Sequence, residues 1–115
     1  MLPPASASTL YRTDDDSLVV VIGPGSGSAQ LSAAVSLMSD AAREPCRRLV
    51  LDVGNVHRLS SDLLALLLWA NVRLRARGSH LVVARPTPAT RELLRRTGLD
   101  HVLPVLDRLP EEVAA

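Results

Sequence analysis

RGSHLVVARPTPATRELLRRTGL, residues 77–99, decides the fold. Gly78 stops a preceding helix, and Leu81-Val82-Val83-Ala84 is a short apolar run with β-branched residues at its centre, hence a buried strand. Arg85-Pro86 ends the strand. Thr87-Pro88 then supplies an N-cap and a proline at the first helical position. The helix runs to Thr97 and stops at Gly98. Helix, strand, helix in so few residues is the signature of an α/β layer structure.

The same alternation extends in both directions. Upstream, Ser61 to Arg77 reads as the longest helix, and Arg48 to Val53, centred on Leu49-Val50-Leu51, as a buried strand with Asp52 near its end. Ala29 to Ala42 reads as a helix with Leu31, Ala34, Val35, Met38 and Ala41 on one face. Leu18-Val19-Val20-Val21-Ile22 is another buried strand. Thr9 to Arg12 is a short strand joined to it by the polar turn 13–17. Downstream, Val102 to Leu106 reads as an edge strand because Pro104 cannot donate to a ladder, and Pro110 to Ala115 as a last helical turn. The expected order is β-β-α-β-α-β-α-β-α, a mostly parallel sheet of four to five strands with helices packed against it. Met1 to Ser8 is expected to be a loose lead-in, and residues 9–115 a single domain.

Composition excludes several functions. At 115 residues with 47% hydrophobic content, the chain can bury a core without disulfide or metal. Its net charge of +1 gives no global field for nucleic acid or anionic lipid, and Tyr11 and Trp69 are its only aromatics, too few for a base-stacking platform. All thirteen basic residues are arginine, read as compositional bias. Cys46 has no second thiol to pair with, and His57, His80 and His101 lack metal-ligand spacing. Asp14-Asp15-Asp16 lacks the spaced ligands of a cation loop and reads as a solvated turn. Gly23-Pro24-Gly25-Ser26-Gly27-Ser28 matches neither phosphate-loop spacing, so Ser28 is expected to cap the next helix. No cofactor is implied. Met1 to Ser8 lacks a signal-peptide pattern, and Leu63 to Ala70 is too short to span a bilayer, so a cytoplasmic location is expected.

The succession Leu49–Asp52, Leu59-Ser60-Ser61, Arg73–Gly78, Leu81–Ala84, Pro86-Thr87-Pro88-Ala89 and Thr97-Gly98-Leu99-Asp100 resembles the STAS domain of anti-sigma-factor antagonists, over about Leu18 to Leu106. In that family a D-S-x-G-L motif opens the second helix, and its serine is phosphorylated by the partner, a kinase that is also the anti-sigma factor. Counted from Asp52, the motif falls on Ser60 to Leu64. Ser61 matches the phosphoacceptor and Leu64 the leucine. Ser60 stands for the aspartate, Asp62 for the variable residue, and Leu63 for the glycine. A G-x-L-D motif of the family falls near Gly25 to Ser28, where no acid is present.

The resemblance implies a non-enzymatic antagonist that binds an anti-sigma factor or serine kinase. It implies Ser61 as acceptor, with Ser60 second, and a surface of Ser26, Gly27, Ser28, Asn55, His57, Arg58, Ser60, Ser61, Asp62 and Leu63. A phosphate at a helix start would meet free N–H groups and the positive end of the dipole. The domain is expected to be a monomer or weak homodimer. Leu63 and Leu66 are expected on an exposed apolar flank, with Leu64, Leu67 and Leu68 in the core. One alternative is a divergent STAS module without phospho-switching, a scaffold or a transporter-associated subunit. Another is a small hydrolase in which Ser61 is paired with His57 and Asp52.

Overall fold

A computed structural model describes residues 8–25 and 27–110. The elements are β1 (Thr9–Arg12), β2 (Ser17–Val21), α1 (Gly27–Ala41), β3 (Arg48–Asp52), α2 (Ser61–Arg75), β4 (Leu81–Ala84), α3 (Pro88–Thr97), a 3-10 turn (Leu99–His101) and β5 (Val105–Leu106). The lead-in 1–7 and the last helical turn at 111–115 lie outside the described residues.

The five strands form one sheet in the order β1-β2-β3-β4-β5. Only the β1–β2 pair is antiparallel; β2–β3, β3–β4 and β4–β5 are parallel. Each parallel step moves the chain one strand in the same direction. Right-handed crossovers taken repeatedly in one direction return every helix to the same face. On that face alternate strand residues (Leu18 and Val20; Leu49 and Leu51; Leu81 and Val83) meet Ala34 and Met38 of α1, Leu63, Leu67, Ala70 and Leu74 of α2, and Leu94 of α3. The opposite face carries a thinner row, Val19, Val50, Val82 and Ala84, edged by Tyr11, Val21, Leu106 and Leu109.

The helix ends show where local signals succeeded. Thr87 caps α3 by accepting the Thr90 N–H at 3.3 Å, and Gly98 ends it at φ 76° in the left-handed region. α2 stops at Arg75, two residues before the expected end. Its last turn tightens as Gly78 donates to the Arg75 carbonyl and Ser79 to the Leu74 carbonyl. β5 is shorter than the expected 102–106. The Val102 and Leu103 N–H groups bond back to the Leu99 carbonyl, which holds both residues in the turn.

Two expectations for side chains are overturned. Leu63 is only 3% exposed, and Leu66 packs half-buried against the core, whereas Leu68 is 39% exposed. The buried stripe of α2 runs through positions 63, 67, 70 and 74, and Leu68 sits about 100° round the helix from Leu67. Ser28 is not the cap of α1 either. The helix begins at Gly27, and Ser28 lies exposed inside its first turn.

Candidate partner-binding edge

The C-terminal ends of β2, β3 and β4 lie side by side, which brings together the segments 22–27, 53–60 and 85–87. Loops held at one end of a rigid sheet are where binding residues concentrate. Here that end is organised around Asp52. That carboxylate is 1% exposed, and both its oxygens are engaged by Arg85: Nε donates to one at 3.0 Å and Nη2 to the other at 2.8 Å. The Gly54 N–H donates to the first oxygen at 2.9 Å. Hydrogen bonding to the carboxylate raises the Arg85 pKa further, so the guanidinium stays charged. A Cβ at Gly54 would stand 2.6 Å from the guanidinium, so glycine is what lets the arginine lie across this turn. Arg85 reaches that position from a left-handed backbone, φ 53°, held by its N–H donating to the Leu106 carbonyl at 2.8 Å.

This knot anchors the segment that leads into α2. The far side of the segment is tied by Thr87, whose hydroxyl donates to the His57 carbonyl at 2.8 Å. Val56 and Leu59 turn inward as buried anchors, leaving Asn55, His57 and Arg58 exposed. Ser60 has extended backbone and caps α2, accepting the Leu63 N–H at 3.1 Å. Ser61 is the first residue of the helix. It is exposed, and its hydroxyl makes no hydrogen bond among the described residues. Asp62, also exposed, adds a favourable negative charge to the first turn.

Between the starts of α1 and α2 lies an open cleft of about 440 Å³, lined by Gly25, Gly27, Ser28, Gln30, Leu31, Val56, His57, Arg58, Ser60, Asp62 and Leu63. Seven of the residues expected from the sequence therefore meet around one hollow: Gly27, Ser28, His57, Arg58, Ser60, Asp62 and Leu63. Leu63 is its floor and not a projecting contact. Asn55 and Ser61 are outside the lining, and Ser26 lies outside the described residues. Gln30 was not anticipated; its amide donates to the Gly23 and Gly25 carbonyls at 3.2 and 2.9 Å and braces the first loop. The Asp52–Arg85 pair was also missed. Its partners are far apart in sequence, and only the parallel register that sets Asp52 beside Ala84 brings them together.

The geometry bears on the hydrolase reading as well. Asp52 is committed to Arg85 and cannot orient His57, and the Ser60 hydroxyl is committed to its cap. Among the described residues, no group of three His, Cys, Asp or Glu side chains is placed to hold a metal. Among the same residues, no helix is long and apolar enough to cross a membrane.

A family model described as Mlab, STAS domain, matches residues 11–107. The chain belongs to the STAS domain family. Solved structures similar to this STAS domain include an anti-sigma factor antagonist from Mycobacterium paratuberculosis, at 24% identity and TM-score 0.76, covering 95% of this chain and 92% of that one. A STAS domain protein from Planctomyces limnophilus aligns at 15% identity and TM-score 0.78, over 90% and 92%. The Bacillus cell fate determinant SpoIIAA in its phosphorylated form aligns at 15% identity and TM-score 0.67, over 89% and 93%. These likenesses establish the fold. A comparison with curated proteins gave no match.

Proposed function

We propose that this STAS domain is an anti-sigma-factor antagonist that acts by binding and not by catalysis. It docks an anti-sigma factor or serine kinase on the edge formed by Gly27, Ser28, Asn55, His57, Arg58 and the start of α2. Ser61 is the residue through which phosphorylation controls that docking. The observation that carries the reading is the division of labour between adjacent serines. The Ser60 hydroxyl is held in the helix cap, whereas the Ser61 hydroxyl is exposed and unengaged at the first helical position. A phosphate there gains the free N–H groups of the first turn and lies in the same segment as Arg58 and His57, yet adds bulk and charge to the docking edge.

The test is incubation with the cognate anti-sigma kinase and ATP, read by intact mass. Wild type and Ser60→Ala gain one phosphoryl group and Ser61→Ala gains none. Ser61→Asp loses the partner and Ser61→Ala keeps it.

A second reading is a STAS interaction module without the switch, a scaffold or transporter-associated subunit. Two observations favour it: the matching family model is the Mlab type, and Asp62 sets a carboxylate beside the acceptor. An unmodified wild type, together with undiminished partner binding by Ser61→Asp, would select this reading.

A further inference from the structure

Large apolar side chains that remain exposed gather on the helical side of the molecule. On the outer surface of α2, Leu68 is 39%, Trp69 40% and Val72 68% exposed. Val102, 42% exposed, lies beside the end of the same helix, where Arg75 donates to its carbonyl at 3.4 Å. The Arg73 guanidinium stands over the Trp69 ring, 5.6 Å from its centre. Isolated surface leucines and valines are ordinary. Leu68, Trp69 and Val72 instead form a continuous strip along a single helix, with a cation resting on its aromatic member.

On α2 itself the charge beside the strip is positive. No acidic residue occurs from Leu63 to Arg91. Arg73, Arg75 and Arg77 follow the strip, and among the described residues none of the three is paired with a carboxylate. Cations at a helix C-terminus complement its dipole, which accounts for their presence but leaves their charge unmatched.

We propose that this strip is a second docking surface whose occupant is an amphipathic helix of a partner protein, apolar on one face and acidic along its flanks. Charge complementarity selects that chemistry: the leucine, tryptophan and valine receive the apolar face, and Arg73 and Arg75 receive the carboxylates. A second copy of this chain docked through the strip would instead give a signal that follows protein concentration. A lipid surface would instead need anionic headgroups for the arginines, which anionic vesicles test directly. Trp69 lies eight residues beyond Ser61, about 12 Å along the helix.

Trp69 is the only tryptophan, so its emission reports on the strip alone. The probe is a designed amphipathic helix of about 20 residues with leucines on one face and glutamates on its flanks. It is expected to shift Trp69 emission to shorter wavelength in a saturable way. Val72→Glu and Arg73→Glu, both at exposed positions and expected to melt as wild type does, should each weaken binding roughly tenfold. The same peptide with lysines for glutamates should not bind. The proposal is overturned if the acidic peptide produces no shift at about 100 μM, a concentration that would reveal ordinary weak docking. Equal binding by the lysine peptide overturns it too. So does a shift produced only by vesicles of anionic phospholipid, or one that follows protein concentration without peptide.

Discussion

The two ends of the parallel sheet are both held by arginine and aspartate, yet in opposite ways. At the N-terminal end Asp15, in the β1–β2 turn, accepts from Arg47 at 2.7 Å and Arg48 at 3.2 Å, and from the Thr13 hydroxyl and the Ser17 N–H. Its side chain is 43% exposed. Arg77 adds bonds to the carbonyls of Ala42 and Glu44 nearby. At the C-terminal end one carboxylate, Asp52, is sealed from water and served by one guanidinium and one N–H. The N-terminal network has many members, and its carboxylate keeps access to water. Without Arg85 the Asp52 carboxylate, 1% exposed, would keep only the Gly54 N–H as a donor. The end that carries the candidate edge is thus the end whose central carboxylate depends most on one guanidinium.

Removing that interaction should have the largest effect. Arg85→Ala, which strands Asp52, is expected to lower unfolding free energy by about 3 kcal/mol in denaturant titration. Asp52→Asn should cost less, because it removes the buried charge and leaves a guanidinium that is 42% exposed. Equal losses would mean that the guanidinium, not the carboxylate, is the group that suffers. Gly54→Ala comes next, at about 1–2 kcal/mol, since the new methyl displaces the guanidinium from its place. A smaller effect is expected at the cap: Ser60→Ala should cost about 1 kcal/mol and Ser61→Ala almost nothing, measured by thermal melts.

At the exposed end the change is also small. Asp15→Asn should cost under about 1 kcal/mol at neutral pH, and the effect should depend on acid. The Thr13 hydroxyl, with Ser17, Arg47 and Arg48, holds the Asp15 carboxyl well below the usual carboxylate range. Its stabilisation is therefore complete above about pH 4, the unfolded value, and is lost as pH falls through the lower folded value. The asparagine variant should show a shallower loss of stability in that acid range. His80 at the same end behaves in parallel at higher pH. Burial, with the nearby arginines, lowers its pKa, so stability is full above about pH 6.5 and declines as pH falls below it. His80→Gln should remove that slope.

Much of this architecture was readable because its signals are local. The β-branched runs gave β2, β3 and β4, and Thr87-Pro88 with Gly98 bounded α3. The start of α2 at Ser61 was readable too. Its buried face was not, because Leu63-Leu64-Ala65-Leu66-Leu67-Leu68-Trp69 is apolar nearly all round and offers no contrast to orient it. The expected core position Leu68 and the expected surface position Leu63 consequently exchanged roles. Convergence of the two loops on one cleft follows from sheet order and was foreseen through the family resemblance. The Asp52–Arg85 knot follows from strand register, which no run of adjacent residues encodes.

The simple strand order has a consequence for assembly. Every strand pairs with the strand before it in the chain, so no segment must be inserted between two that are already joined. The sheet can grow outward from the β1–β2 hairpin, each β-α unit adding to a free edge, with loop closures confined to near neighbours. On a ribosome, where the N-terminal part emerges first, that order of growth coincides with the order of synthesis. The Asp52–Arg85 knot closes only once β4 has joined, so a nascent chain would complete this candidate edge late, after most of its core has formed.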